Sequence, residues 1–198
     1  MPPPLSDQDR RTLLRLARAV VSEIITQDRI LSVPPLTGPL AQQAGAFVTL
    51  FLAGRLRGCV GLARPDLALG ETVVQAALGA ARNDPRFQPV SPAELAELEI
   101  EISVLSEAKP IPASEIEVGR HGLMVVRGRN RGLLLPQVAV ERAWTAEVFL
   151  DEVCRKAALP AMAWKDPQTE LFAFTAEMFS EQEYPEIKMA AARDRGHS

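Results

Sequence analysis

The chain has 198 residues, 47% of them hydrophobic and 24% charged, with a formal net charge of −3 at pH 7. This is the size and mix of one globular domain or two small packed halves, and the acidic balance gives no overall basic field for nucleic acid or anionic lipid. No apolar run reaches the roughly 18–20 residues of a membrane span.

Other classes fall away on inspection. The start Met1-Pro2-Pro3-Pro4 lacks the basic and apolar regions of a signal peptide, so a cytoplasmic protein is expected. Cys59 and Cys154 make no disulfide framework, and with His121 and His197 they make no zinc cage. There is no Gly-rich phosphate loop and no His-Glu-x-x-His, so no cofactor or metal is expected.

Ser6 is placed to cap a helix over residues 7–26, with Asp9 three positions on. Leu13, Leu16, Ala17, Val20 and Ile24 recur there at helical spacing. Pro34, Pro35, Gly38 and Pro39 make 32–45 a loop. Residues 46–53 and 56–62 flank a Gly-Arg turn and predict a hairpin. A helix over 71–83 carries Val73, Val74, Ala77, Leu78 and Ala81 on one face. It stops at Asp84-Pro85, because the residue before proline avoids the α region. Ser91-Pro92-Ala93-Glu94 is a capping box opening a short helix, and 98–105 alternates as a strand. A second hairpin follows over 123–127 and 132–138. Next come a helix over 145–158, halted by Pro160, and a closing strand over 171–179. Residues 183–198 read as a polar tail that frays or packs only through Tyr184 and Ile187.

After the first loop the chain repeats itself. Gly54-Arg55-Leu56-Arg57-Gly58 matches Gly128-Arg129-Asn130-Arg131-Gly132 at a shift of 74 positions. The same shift pairs Val74 with Val148 and Ser106-Glu107 with Ser180-Glu181. Two hairpin–helix–strand repeats are expected, over about 46–107 and 120–181. The expected class is α+β, with the repeats sharing one core around a mixed, largely antiparallel sheet in a single domain over 1–182.

The chemistry centres on Leu56-Arg57-Gly58-Cys59-Val60-Gly61. Strand parity puts Arg57, Cys59 and Gly61 on one face and Leu56, Val60 and Leu62 on the other. A thiol beside a fixed positive charge is a candidate nucleophile, since the cation favours the thiolate. Arg57 would supply that charge and His121 the proton transfer, unless His121 serves only a turn. On the later strand Ile100, Ile102 and Val104 take the core face, while Glu99, Glu101 and Ser103 share the other. If the two strands are neighbours, Glu101 would orient the thiol. Gly58 and Gly61 could leave room for a ligand, with a β-bulge as the alternative for Gly58. Arg86 and Gln137 are further candidate substrate contacts, though Asp84-Pro85-Arg86-Phe87 also suits a helix stop with a structural ion pair. Cys154 lies on an apolar helical stripe and reads as core, and Trp144 as a core anchor. Arg127, Arg129 and Arg131 cluster in the second hairpin without interleaved aromatic residues, which suits solvated turn charge better than RNA binding.

Several segments carry a family resemblance. They are Gly45-Ala46-Phe47-Val48-Thr49-Leu50, Leu56-Arg57-Gly58-Cys59-Val60-Gly61, Asp84-Pro85-Arg86-Phe87 and Glu99-Ile100-Glu101-Ile102-Ser103-Val104-Leu105. Further on come Gly119-Arg120-His121-Gly122-Leu123, Leu135-Pro136-Gln137-Val138, and Trp144 before Phe149-Leu150. Over about residues 7–182 the chain resembles the AMMECR family, whose prokaryotic members are also called AmmeMemoRadiSam system protein A. Val60 stands where isoleucine is commoner. The resemblance implies a compact α+β protein of two related halves in a bacterial or archaeal cytoplasm. It also implies partnership with a Memo-like, dioxygenase-related protein and a radical S-adenosylmethionine enzyme. It points to a site and names no reaction.

The leading expectation is an enzyme or covalent carrier using Cys59 in acyl or alkyl transfer with a small molecule or protein side chain. The alternative is a non-catalytic binding or scaffold module. Its groove near Arg57 and Cys59 would hold a peptide, a partner protein or an anionic metabolite.

Overall fold

A computed structural model of the chain describes residues 4–29, 31, 35–63 and 66–195, with side chains as far as 191. In chain order the elements are α1 (Asp7–Thr26), β1 (Ala46–Leu52), β2 (Arg55–Leu62), α2 (Leu69–Leu78), β3 (Glu99–Leu105), β4 (Lys109–Pro110), β5 (Gly122–Arg127), β6 (Asn130–Leu134), α3 (Pro136–Glu141), α4 (Ala146–Lys156), β7 (Glu170–Phe174), β8 (Ala176–Ser180) and α5 (Pro185–Arg195). The α+β class is as expected. The chain divides into two compact units, residues 1–104 with 177–198, and residues 105–176.

The single shared sheet is a correction. The described residues form two four-stranded sheets, ordered β2-β1-β3-β8 and β4-β7-β5-β6. The expected closing strand breaks at Thr175, which leaves β7 in one sheet and β8 in the other. Both backbone groups of Thr175 are taken by Ser106: its N–H donates to Ser106 Oγ at 2.9 Å and its C=O accepts from Ser106 N–H at 2.9 Å. The shared core is likewise replaced. Among the described residues the buried apolar side chains form two clusters, one in each unit.

In the first unit, α1 starts as its sequence predicts. Ser6 N–H donates to Asp9 Oδ2 at 2.9 Å, and Asp9 N–H donates to Ser6 Oγ at 3.2 Å, which satisfies two end donors reciprocally. Leu13, Ala17, Val20 and Ile24 are buried from this helix. Ala46, Val48 and Leu50 of β1 and Ile100, Ile102 and Val104 of β3 supply the sheet face of the same core. The predicted helix over 71–83 is α2 followed by a π-helical turn, Gly79–Asn83. Residues 32–34 of the predicted first loop lie outside the described residues; Gly38–Ala41 of it forms a 3₁₀ turn. The C-terminal stretch contains α5, anchored by Tyr184 and Ile187 in the first core.

One core feature escapes the apolar pattern. Arg18 of α1 and Glu181, just after β8, are buried as an ion pair. Arg18 also donates to the carbonyls of Leu95 at 3.2 Å and Leu98 at 2.7 Å. Glu181 accepts Ile100 N–H at 2.9 Å. The charges are thus paired and hydrogen-bonded, the condition under which charge is tolerated inside.

In the second unit, β5 pairs with β6 and with β7 in antiparallel register. Strand β6 ends at Leu134, four residues short of the expected Val138, because Pro136 lacks an N–H for the ladder and opens α3 instead. Thr145 caps α4, and Phe149, Leu150, Val153 and Cys154 are buried from it. No helix among the described residues is long and apolar enough to cross a membrane.

Candidate functional site

The site grows from an irregularity in β2. Leu50 of β1 faces Gly58, but the next residue, Phe51, faces Leu56, so Arg57 is an extra residue in the ladder. Without this bulge Cys59 would sit opposite Val48, on the core side. With it, Cys59 sits opposite Thr49, on the other face. The bulge also corrects the parity expected for Leu56, which shares the face of Phe51 and is 41% exposed rather than turned to the core.

Arg57 is a second correction. Its Nε donates to Glu94 Oε1 at 2.6 Å, and its Nη atoms donate to the carbonyls of Gln88 and Pro89 at 2.8 and 3.1 Å. The guanidinium, aided by hydrogen bonds from Ser91, pulls the Glu94 carboxyl down to about 2 against the opposing effect of burial. Its charge is spent there, and the cation beside Cys59 is Arg86.

Strand β2 is an edge strand. Cys59 N–H donates outward to Asp84 Oδ2 at 2.9 Å, and Cys59 C=O accepts from Arg86 Nη2 at 3.2 Å. Asp84 and Arg86 thereby do for the edge what a neighbouring strand would do, closing backbone groups that edges otherwise leave open. Asp84 is 5% exposed and also accepts from Arg86 N, Nε and Nη2 at 3.1, 2.9 and 2.7 Å. These bonds hold its carboxyl well below the usual range, with the Arg86 side chain the largest cause. The π-helical turn delivers Asp84 to this place, and Pro85 keeps the chain extended there.

Because its own N–H and C=O point out of the sheet, Cys59 forms a non-hydrogen-bonded pair with Thr49, the type in which side chains approach most closely. Thr49 Oγ1 donates to Cys59 Sγ at 3.3 Å. The thiol is half-buried. Burial pushes its pKa up, Asp84 and Glu101 add to the rise, and the Thr49 hydrogen bond and Arg86 act against it. Burial thus works against the activated thiolate expected from the sequence.

Glu101 shares this face, but β3 is not the neighbour of β2. Strand β1 lies between them, and Thr49 is the register partner of both Cys59 and Glu101. One rung on, Phe47 faces both Gly61 and Ser103. Neither glycine opens a ligand space on its bare side. A Cβ at Gly58 would lie 2.2 Å from the carbonyl oxygen of Ala80, and one at Gly61 would lie 2.1 Å from the Phe47 ring. Gly58 is thus the bulge and close-approach residue, and Gly61 is roofed by an aromatic ring.

The remaining candidates belong to the second unit. His121 Nδ1 accepts Glu117 N–H at 3.1 Å, closing the turn before β5, the humbler of its two expected roles. Gln137 is half-buried in the first turn of α3, not at a strand end. Cys154 is fully buried in the second core, and Trp144 packs there with its ring 6.4 Å from that of Phe149. Arg127 pairs with Asp166 at 3.1 Å, and Arg131 lies on the sulfur of Met124. Sequence reasoning missed Thr49 and Asp84. No local signal pointed to Thr49, because register counted from the two-residue turn places it opposite Gly58 and only the bulge moves it to Cys59.

The sequence profile of the AMMECR1 family matches residues 14–179. A protein of Methanothermobacter thermautotrophicus is 44% identical over 186 residues, covering 90% of this chain and 97% of its own. A protein of Thermococcus gammatolerans is 46% identical over 193 residues, covering 91% and 94%. The crystal structure of an uncharacterized protein from Pyrococcus horikoshii matches with a TM-score of 0.84 at 40% identity, over 89% of this chain and 93% of that one. The chain belongs to the AMMECR1 family.

Proposed function

We propose that the chain is a thiol-dependent transferase or covalent carrier in which Cys59 bonds to an electrophilic carbon of a small molecule or protein side chain. In the acyl case, sulfur attacks the carbonyl carbon and a thioester forms. The leaving group departs with the bond's electron pair and takes up the proton that left the thiol. Alkyl transfer would follow the same balance at a saturated carbon. The observation that carries this reading is the handling of Cys59. Its backbone N–H and C=O are both held, by Asp84 and Arg86, and a hydroxyl is aimed at a half-buried sulfur. The family resemblance adds a pathway setting with a Memo-like protein and a radical S-adenosylmethionine enzyme.

The test is alkylation of the folded chain by iodoacetamide between about pH 6 and 10, read on the Cys59 and Cys154 peptides by mass spectrometry. Cys59 should react in the folded protein, with a rate still climbing above the reference pKa of about 8.5, and Cys154 only after unfolding. Labelling of Cys59 only on unfolding would refute the covalent reading and favour a binding module.

The two units also read as descendants of one duplicated unit. Each contains a hairpin, a helix and a strand that pairs antiparallel with the hairpin's first strand. Gly58 and Gly132 sit on equivalent rungs and meet the backbone of the following helical segment, at Ala80 and at Val153 and Ala157. The bulge at Arg57 explains why the repeat register holds at these glycines although the turn residues are offset by one.

A further inference from the structure

The covalent reading of Cys59, on which this inference rests, leaves one need unmet. A half-buried thiol must become a thiolate, and the cation expected to help has turned to Glu94. Arg86 donates to the Cys59 carbonyl and also favours the sulfur's anion, but its charge is paired with Asp84. The neutral donor placed on the sulfur is the Thr49 hydroxyl, at 3.3 Å.

Three features make Thr49 more than an ordinary strand threonine. It sits on the second strand in from the edge, between Cys59 and Glu101, so its hydroxyl stands between a thiol and a carboxylate on one face. It is 8% exposed, which leaves little water to compete for that hydroxyl. Its β-branched side chain has restricted χ1 freedom, so the hydroxyl direction is set by the backbone rather than by chance. Phe47 and Phe51 flank it along β1 on the same face. A hydroxyl donating to sulfur favours the anion over the thiol, because the hydrogen bond is stronger to a charged acceptor.

We propose that Thr49 is the positioning residue of this site, its hydroxyl holding the Cys59 sulfur in one orientation and stabilising the thiolate when the proton leaves. On ionisation the S–H bond breaks, the electron pair stays on sulfur, and the proton passes to solvent or to the departing group of the substrate. Thr49 keeps its own proton and donates it as a hydrogen bond throughout. Glu101, beyond Thr49, opposes the same ionisation. The row across the three strands therefore sets reactivity from both sides.

The experiment is the pH–rate profile of Cys59 alkylation by iodoacetamide in the full chain, for wild type, Thr49→Val, Thr49→Ser and Thr49→Ala. Native fold is checked by near- and far-ultraviolet circular dichroism. Thr49→Val keeps the shape and removes the donor. It should react about tenfold more slowly at about pH 7.5, with its profile moved to higher pH. Thr49→Ser should return to within about threefold of wild type, and Thr49→Ala should behave as Thr49→Val does. Equal profiles for wild type and Thr49→Val would overturn the proposal, as would Thr49→Ser slowed as much as Thr49→Val, which would mark a packing role. If Cys59 of the folded wild type does not react at all, the covalent reading itself fails, and the role of Thr49 falls with it.

Discussion

Replacing Asp84 by alanine tests the edge clamp directly. The carboxylate accepts one bond from Cys59 N–H and three from Arg86. The Arg86 side chain is 55% exposed, so water can recover most of its solvation, and that pair contributes about 0–1 kcal/mol. The Cys59 N–H bond to a charged acceptor contributes about 1.5–3 kcal/mol. The expected loss for Asp84→Ala is therefore about 2–3 kcal/mol, within the margin of a domain stable by about 5–15 kcal/mol. Asp84→Asn keeps the volume and one oxygen for Cys59 N–H, and should lose only about 1 kcal/mol. Urea unfolding followed by circular dichroism gives the stabilities, and amide exchange at Cys59 reports whether the edge has opened. The pH dependence has a definite sign. A carboxyl held low in the folded state adds stability above the unfolded value of about 3.9 and loses it as the pH falls further. The gap between wild type and Asp84→Ala should thus narrow in acid. A loss under about 0.5 kcal/mol, a gap unchanged by acid, or an asparagine variant worse than alanine would refute the clamp.

Two further outcomes follow from the same neighbourhood. Gly58→Ala places a Cβ 2.2 Å from a backbone carbonyl oxygen, so strand and π-helical turn must separate, at a cost of about 2–3 kcal/mol in urea unfolding. The Arg57–Glu94 pair should make the protein acid-sensitive. Its carboxyl lies at about 2 when folded, against an ordinary 4.5, so up to about 3 kcal/mol is present above pH 4.5 and is lost as the pH falls toward 2. Glu94→Gln should flatten that part of the stability–pH curve, and an unchanged curve would show that the pair adds nothing.

Much of this molecule is legible locally. The extent of α1, its capping box, the core face of β3, the helix stop before Pro85 and the buried state of Cys154 all follow from spacing, capping and proline chemistry. These depend on residues close in sequence, where periodicity and backbone preference act directly. The family was legible as well, from ordered short segments.

The site is a different matter. Hairpin register counted from the turn would put Thr49 opposite Gly58, and only the bulge at Arg57 slides it to Cys59 and turns the thiol away from the core. The bulge is not a property of the hexapeptide alone. It is held by Arg57 reaching Glu94 and the carbonyls near Pro89, and by Gly58 admitting the backbone of Ala80, all more than twenty residues further on. The pairing of Asp84 with the backbone of Cys59, and of Arg18 with Glu181, likewise joins groups whose spacing in sequence carries no signal. Local chemistry by itself determined most of the segments that form helices and strands and the residue types on offer for chemistry. Long-range packing alone decided which face carries the thiol, which cation stands beside it and which hydroxyl reaches it, because a one-residue slip in a strand of period two exchanges every side chain between its faces.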